Sequence, residues 1–420
     1  MAAETDAAPL PPERKPAIRL QSIDALRGLA ALAVVCTHIP RDNQGLLNGR
    51  FFAFLPLDFG ALGVPLFIVI SGFCIHLGVA RRAAVGAPPT IDWAQFWKRR
   101  FFRLYPPYVA AIAYSLLAYA ILNRAGVLTP GEQLKSPVTD IVVHLLMVHN
   151  LTHAFDGGLF NPPFWSLGLE EQLYALFALL LVLRRRGPLL RALWISLAVM
   201  LVWRFATVWV QFAVVRATGI PRELHAVPLG VLPALGAWRD WPFGWWFLWV
   251  LGAVAAEAHT GALKLPSWCY QRRVAIAAVL FCIPTYAKTL GRFTEYKLSD
   301  AGAQGWIRAI LDSAVQLSEP AFAVAGFVIL NRWCRSDQAG QYKGWLSSLL
   351  ARCGVMSYSL YLTHLPTIAL LGAFLPLGPK TSFPGMIVRM LVYIPICLAT
   401  STLFFNMIER HFLGTARRAK

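Results

Sequence analysis

Charge is scarce in this sequence. Only 14% of its 420 residues are charged, against roughly 25% in a soluble domain. Two or three water-soluble domains, which the length alone would suggest, are therefore excluded. Acidic residues are fewest, 21 Asp and Glu against 39 Lys and Arg, a formal net charge of +18. Cysteine supplies no framework: the seven are odd in number, form no CxxC pair and mostly lie in or beside apolar runs. They read as small hydrophobes, not as a disulfide scaffold or metal site. An internal repeat is not evident, and no polar stretch is long enough to fold alone. Residues 1–19 are polar, Pro-rich and of mixed charge, without a short apolar core followed by a small-residue cleavage site. The first apolar run is thus expected to be retained, not removed as a signal peptide.

What the sequence does have is apolar length. It is 57% hydrophobic, with a mean hydropathy of +0.54, and each crossing of a bilayer takes about 20 such residues. Ten spans are expected, at 22–40, 59–79, 104–122, 165–183, 190–210, 241–258, 272–288, 316–332, 353–373 and 386–407. The fold class is an all-α, polytopic membrane helical bundle of about ten transmembrane helices. Residues 138–152 are apolar but short and His-containing, which predicts one further interfacial or re-entrant helix. The expected layout is a cytoplasmic tail at 1–21, a membrane domain at 22–408 and a basic cytoplasmic tail at 409–420.

The basic residues fall in short clusters between apolar runs: Arg81-Arg82, Lys98-Arg99-Arg100, Arg184-Arg185-Arg186 and Arg417-Arg418. In a soluble chain this charge would raise nucleic-acid binding. Here it reads as positive-inside topology and attraction to anionic lipid. With the N-terminus inside, inner segments carry roughly twice the Lys and Arg of outer ones, and an even count puts both termini in the cytoplasm.

Three stretches carry chemistry. The first span holds Arg27 and His38, eleven residues apart, so about 16 Å along a helix and nearly on one face. Two ionisable groups on one apolar stripe imply a polar cavity. Arg27 could also simply snorkel or pair with Asp24. His38, followed by Ile39-Pro40, is expected to end its helix and suits proton transfer.

Next, FWKRRFFRLYPPY at 96–108 places Arg99, Arg100 and Arg103 within one turn, interleaved with Trp97, Phe101, Phe102, Tyr105 and Tyr108. This is either an aromatic anchor at the interface or a phosphate clamp with rings for a base. Third, NPPFWSLGLEEQLYALFALLLVL at 161–183 aligns Ser166, Glu170 and Tyr174 at i, i+4 spacing, with Glu171 pointing elsewhere. Glu170 either pairs with Arg27 or Arg204, or orients an imidazole or a substrate hydroxyl.

Ser71-Gly72 is expected to let helices approach. Tyr358, Tyr361 and His364 look structural, with His364 bonding a carbonyl freed by Pro366. His144, His149 and His153 recur within ten residues, but no nearby carboxylate or cysteine completes a metal site, and none is expected.

Together these stretches resemble the acyltransferase 3 family of bacterial membrane acyltransferases. The shared features are Asp24-Ala25-Leu26-Arg27-Gly28 running to His38, Ser71-Gly72-Phe73, Arg100-x-x-Arg103-Leu104-Tyr105-Pro106, Trp165-Ser166-Leu167 with Glu170 and Tyr174, and Ser357-Tyr358-Ser359-Leu360-Tyr361-Leu362 with His364. They run in the family's order over residues 22 to about 408. The resemblance implies transfer of an acyl group, often acetyl, from cytoplasmic acyl-CoA to a hydroxyl of a cell-envelope or exported glycan, a lipid or a small molecule.

It also implies His38 as the essential histidine with Arg27 as its partner, Arg100 and Arg103 as donor-linked arginines, and Glu170 and Ser166 as the third motif. Arg99 is expected to add to the donor site and Tyr174 to the acceptor site. No permanently bound cofactor is expected; acyl-CoA is a substrate. Some relatives carry a fused esterase-like domain after the last span, so any second, extracytoplasmic transfer is expected to need a separate protein. The implied location is the bacterial inner membrane. Paired ionisable groups in spans also suit a proton-coupled transporter or flippase, for which inverted repeats would speak, or a scaffold in which Arg27 and Glu170 merely pair.

Overall fold

The computed structural model describes residues 20–41, 62–128, 136–152, 158–218, 238–286, 313–341, 344–377 and 383–413, with Leu134, Phe155 and Ile310. The expected N-terminal tail up to residue 19, His153, Arg417-Arg418 and the end of the 272–288 span lie outside the described residues, as do residues 219–237.

Twelve α-helices, and no strand, occur among the described residues. They are α1 (Gln21–Arg41), α2 (Gly63–Ala83), α3 (Trp93–Arg124), α4 (Pro137–Leu145), α5 (Trp165–Arg185), α6 (Leu189–Thr218), α7 (Trp246–Thr260), α8 (Arg272–Tyr286), α9 (Ser318–Gln338), α10 (Trp345–Val355), α11 (Ser357–Phe374) and α12 (Phe383–Phe404). Local chemistry sets several ends. The Asp92 carboxylate caps α3 by accepting from the Gln95 backbone N–H at 3.0 Å, satisfying one donor that has no intrahelical partner. Gly261 closes α7 in the left-handed region, at φ +82°, where other residues are strained.

Seven helical segments are long and apolar enough to cross a membrane: Gln21–Ile39, Gly63–Ala84, Trp93–Arg124, Pro162–Arg185, Leu189–Val210, Ser313–Gln338 and Pro384–Leu413. The chain is thus an all-helical, multi-pass membrane protein. The other three expected spans fall on shorter or more polar helices. Helix α7 has 15 residues, about 22 Å of rise against a hydrocarbon core of roughly 30 Å, and α8 is described only from Arg272 to Tyr286. The 18 residues of α11 include Tyr358, Tyr361, Thr363, His364 and Thr367. Helix α4 has nine residues, also too short to cross.

Helix α7 is the hub. Every residue from Trp246 to Glu257 is buried, as expected of a helix apolar on all sides, and α2, α6 and α9 pack around it. Gly72 and Gly252 make the α2–α7 crossing. A Cβ on Gly72 would collide with the Trp249 carbonyl, and one on Gly252 with the Val69 carbonyl. Backbones approach this closely in membranes only at small residues, as Ser71-Gly72 led one to expect. Helix α1 lies against α2, α10 and α11. It continues to Arg41, past His38, because a proline in the last turn removes only one ladder bond.

Candidate active site

Helices α1, α2, α3, α5, α10 and α11, with the chain just after α12, line a cavity of about 470 Å³. Arg27 reaches it from α1, Arg99, Arg100 and Arg103 from α3, and Ser166, Glu170 and Tyr174 from α5. All the expected site residues except His38 therefore meet on one cavity. Along α2 the lining runs from Val64 to Ile75, about 16 Å at 1.5 Å per residue, so the space is elongated along the bundle.

One end is cationic. The Arg27 guanidinium donates to the Cys74 sulfur at 3.3 Å. Arg99 donates to Gln95 Oε1 at 3.1 Å. Arg100 lies 5.9 Å from the ring centres of both Phe96 and Tyr174, and its buried Nε has no hydrogen-bond partner among the described residues. Glu170 faces these arginines with its Oε1 already accepting from Ser71 Oγ at 2.7 Å and Tyr174 Oη at 2.5 Å. Arg204 is elsewhere. It pairs with Glu319 at 2.7 Å and donates to the Gly244 and Gln316 carbonyls, so the expected alternative of a Glu170–Arg204 pair is replaced by a separate buried pair between α6 and α9.

Helix α3 divides its two kinds of side chain between two faces. The arginines point into the cavity, while Trp97, Phe101, Phe102 and Tyr105 line a different, shallow groove with Lys98 and Glu171. The 100° step per residue causes this separation. The rings and the arginines thus occupy separate faces of one helix, and the rings do not share the arginines' space.

The other end of the cavity is neutral. Tyr361 Oη donates to the Pro163 carbonyl at 2.8 Å and lies 2.7 Å from Ser166 Oγ. Phe67 packs edge-on against Tyr361, ring centres 5.9 Å apart. One turn further out on α11 is His364, fully buried, and beside it His38, with ring centres 5.0 Å apart. His38 therefore stands just beyond the neutral end, against protein. Because α1 is unbroken from Gln21 to Arg41, Arg27 and His38 stay about 16 Å apart along its axis; the structure does not bring them together. The carbonyl freed by Pro366 is that of Leu362, and Asn161 Nδ2 donates to it at 2.9 Å. The carbonyl that Pro366 frees is therefore not one that His364 bonds; its Nδ1 lies instead 2.8 Å from the Tyr361 carbonyl oxygen and 3.1 Å from that of Leu360.

Three contributors were missed or read as scaffold in the sequence. Tyr358 and Tyr361 line the cavity, and their i, i+3 spacing on one helix face was the available signal. Glu409 was placed in the tail, yet it is 3% exposed and lines the cavity. The chain after α12 continues as a π-turn, Phe405–Glu409. That turn brings the carboxylate to Ser359, whose backbone N–H and hydroxyl both donate to it, at 3.1 and 2.5 Å. A carboxylate in an apolar run had flagged Glu170 and should have flagged Glu409.

On the side of the bundle near α4, the His144 and His149 rings stack at 3.9 Å and 9°. Among the described residues no group of three or more His, Cys, Asp and Glu is placed to hold a metal ion.

A family profile described as an acyltransferase domain matches residues 20–406. The chain is 24% identical to the acyltransferase MdmB of Streptomyces mycarofaciens over 84% of its own length and 79% of that protein's. It is 31% identical to protein 2 in the picA locus of Rhizobium radiobacter, over 39% of this chain and 84% of that one. It is 30% identical to the peptidoglycan O-acetyltransferase OatA of Listeria monocytogenes, over 38% of this chain and 24% of that one. No solved structure matches. With its profile match spanning nearly all the described helices, its apolar bundle and its polar interior, the chain belongs to the acyltransferase 3 family and is a membrane O-acyltransferase, taking an acyl donor and a hydroxyl-bearing acceptor.

Proposed function

We propose that this chain transfers an acyl group, acetyl being the first choice, from cytoplasmic acyl-CoA to a hydroxyl of a cell-envelope or exported glycan, with a lipid or small molecule as the other acceptor classes. The observation that carries the reading is the polarity of the cavity. Four guanidinium groups crowd one end, and two imidazoles stand just past the other. Acyl-CoA has the same asymmetry, with phosphates at one end and a thioester on a long neutral arm. Guanidinium forks suit phosphate oxygens, and a buried donor such as Arg100 Nε is costly to leave unsatisfied.

In this reading Arg100, Arg103, Arg99 and Arg27 hold the phosphates, and the pantetheine arm runs along α2 past Ser71 and Ser166 toward Phe67 and Tyr361. The thioester reaches His38. Its imidazole removes the proton of the acceptor hydroxyl as that oxygen attacks the thioester carbonyl. The C–S bond breaks, the proton passes to the departing thiolate, and the products are the ester and free CoA. General-base help of this kind contributes about 10²–10⁴-fold. Glu170 organises Ser71 and Tyr174 in the cavity wall, and Tyr174 in turn supports Arg100. Arg27 is too far from His38 to touch an oxyanion formed there, so its place is with the donor. An acyl-histidine route uses the same residues, and trapping of label on His38 from labelled donor distinguishes it.

We further propose ten crossings with both termini in the cytoplasm of the bacterial inner membrane. Arg81-Arg82, Arg99, Arg100 and Arg184-Arg185 then share the inner side. Helices α7 and α11 are enclosed largely by protein and need not meet the lipid-facing length.

The test is acceptor-dependent release of CoA. The full chain in membrane vesicles is given labelled acetyl-CoA, and free thiol, labelled glycan and labelled lipid are measured. His38→Ala is expected to abolish transfer with insertion and unfolding temperature unchanged. Label carried across the vesicle without thiol release would identify a carrier instead. Full activity in His38→Ala would remove His38 from the mechanism.

A further inference from the structure

We propose that the shallow groove between α3 and α5 holds the headgroup of a zwitterionic, ammonium-bearing phospholipid, with the ammonium on the aromatic rings and Glu171 and the phosphate toward Lys98. The proposal does not depend on how the acyl group is transferred.

The groove has a volume of about 350 Å³ and is lined by Trp97, Lys98, Phe101, Phe102, Tyr105 and Glu171. At 100° per residue the five α3 positions cover an arc of about 140°, and Arg99, Arg100 and Arg103 fall on the opposite side. Helix α5 is sorted the same way: Glu170 faces the internal cavity and Glu171 the groove. The groove is thus open on the surface of the bundle, with Trp97 39% and Phe101 51% exposed.

The carboxylate is the informative group. Glu171 Oε1 is shielded from water and has no hydrogen-bond partner among the described residues. Arg100 and Tyr105 act on Glu171 through space, but neither forms a hydrogen bond with it among the described residues. Lys98 is exposed and makes no ion pair with Glu171 among the described residues. A buried carboxylate oxygen left unmatched is costly. Aromatic side chains alone would serve as an interfacial anchor, and such an anchor has no use for an unmatched acid among its rings.

A cation answers both features. The faces of Trp, Tyr and Phe attract ammonium groups, and here the Phe101 and Tyr105 rings stack with centres 4.8 Å apart, extending one aromatic surface beside the carboxylate. Lys98 supplies a point charge for a phosphate. A phosphate and an ammonium joined by a short ethylene bridge match this pairing, and that is the headgroup of phosphatidylethanolamine. The groove also lies at the right depth. Its α3 residues immediately precede the long apolar run that starts at Pro106, where a crossing helix meets the headgroup layer. An anionic headgroup without an ammonium could use Lys98 but would meet Glu171 as a like charge. The site should therefore prefer a zwitterionic lipid although the chain as a whole carries a net charge of +18.

Carbodiimide cross-linking reads the site directly. The reagent takes up the water lost when a carboxylate and a primary amine join as an amide, so the Glu171 carboxylate and the phosphatidylethanolamine amine become one peptide-bound lipid. The full chain in vesicles containing phosphatidylethanolamine is treated, and the peptide carrying Glu171 is followed by mass spectrometry. We expect the adduct at Glu171. Excess phosphatidylcholine, whose methylated ammonium cannot couple, should compete about tenfold better than phosphatidylglycerol with the same acyl chains. Trp97→Leu with Phe101→Leu should lower the adduct about tenfold. In native mass spectrometry Glu171→Gln should bind its first phosphatidylethanolamine about tenfold more weakly than the parent and phosphatidylglycerol no more weakly.

No lipid adduct at Glu171 under conditions where glycinamide couples there overturns the proposal, as does phosphatidylglycerol competing as well as phosphatidylcholine. Competition by CoA but not by phosphatidylcholine would assign the rings to the donor's base instead. If Glu171 couples to neither amine, the native comparison decides, and parental phosphatidylethanolamine affinity in Glu171→Gln overturns the proposal. If a variant loses the parent's unfolding temperature, lipid competition on the parent decides alone.

Discussion

Replacing Arg103 by Gln tests the cationic end of the cavity most directly. The residue lines the cavity beside Arg27 and Arg100. A hydrogen bond to a charged group contributes about 1.5–3 kcal/mol, and 1.4 kcal/mol is a factor of ten. Loss of one guanidinium should therefore weaken CoA binding by roughly 10–100-fold. Arg100→Gln should cost a similar factor. Arg99→Gln should cost less, since Arg99 already donates to Gln95. The double variant at 100 and 103 should fall short of the product, because removing one cation relieves repulsion on the others and neighbouring sites couple. The assay is equilibrium binding of CoA by calorimetry to the full chain in nanodiscs, repeated with pantetheine, which has the arm and no phosphate. The arginine variants should bind pantetheine as the parent does. An equal loss for both ligands would refute the clamp, and an unchanged CoA affinity would refute it outright.

Three further outcomes are expected. CoA should protect Cys74 from N-ethylmaleimide, read by peptide mass spectrometry, since Cys74 lines the cavity; equal labelling with and without CoA would place the donor elsewhere. Arg204→Met should destabilise by about 3–5 kcal/mol, because it strips the partner from a buried Glu319 carboxylate, and Arg204→Met with Glu319→Leu should recover most of the unfolding temperature; a neutral single variant would contradict this. Burial, with His149 beside it, pushes the His144 imidazole down to about 3, below the usual value of about 6.5. The unfolded chain then binds the extra proton between those values, so stability falls as pH falls through that window, by roughly 1.4 kcal/mol per unit. Hydrogen-exchange protection in residues 137–152, corrected for the intrinsic pH dependence of amide exchange, should fall from pH 7 to pH 5 in the parent and stay flatter in His144→Asn.

Helical class, membrane residence and most site residues were legible in the sequence, because they follow from local pattern. Apolar length marks the seven long helices. An ionisable group inside an apolar run is costly wherever it occurs, so Arg27, Glu170 and the α3 arginines were conspicuous before any fold was known. Helical phase alone put Arg99, Arg100 and Arg103 on one face and Ser166, Glu170 and Tyr174 on another.

Tertiary packing decided what those faces meet. Spacing along α1 suggested that Arg27 and His38 share one site, yet the unbroken helix holds them about 16 Å apart, with Arg27 on the cavity and His38 beyond its lining. Nothing in α11 alone shows that His364 lies against His38, because that contact is made between residues 326 positions apart. Glu409 entered the cavity only through the π-turn and its bonds to Ser359. The short α7 could be recognised as the hub only once α2, α6 and α9 were seen around it. Local pattern fixes the helices and the direction each polar side chain leaves its axis; the pairing of those directions depends on which backbones can approach, and here Gly72 and Gly252 set that for the central crossing.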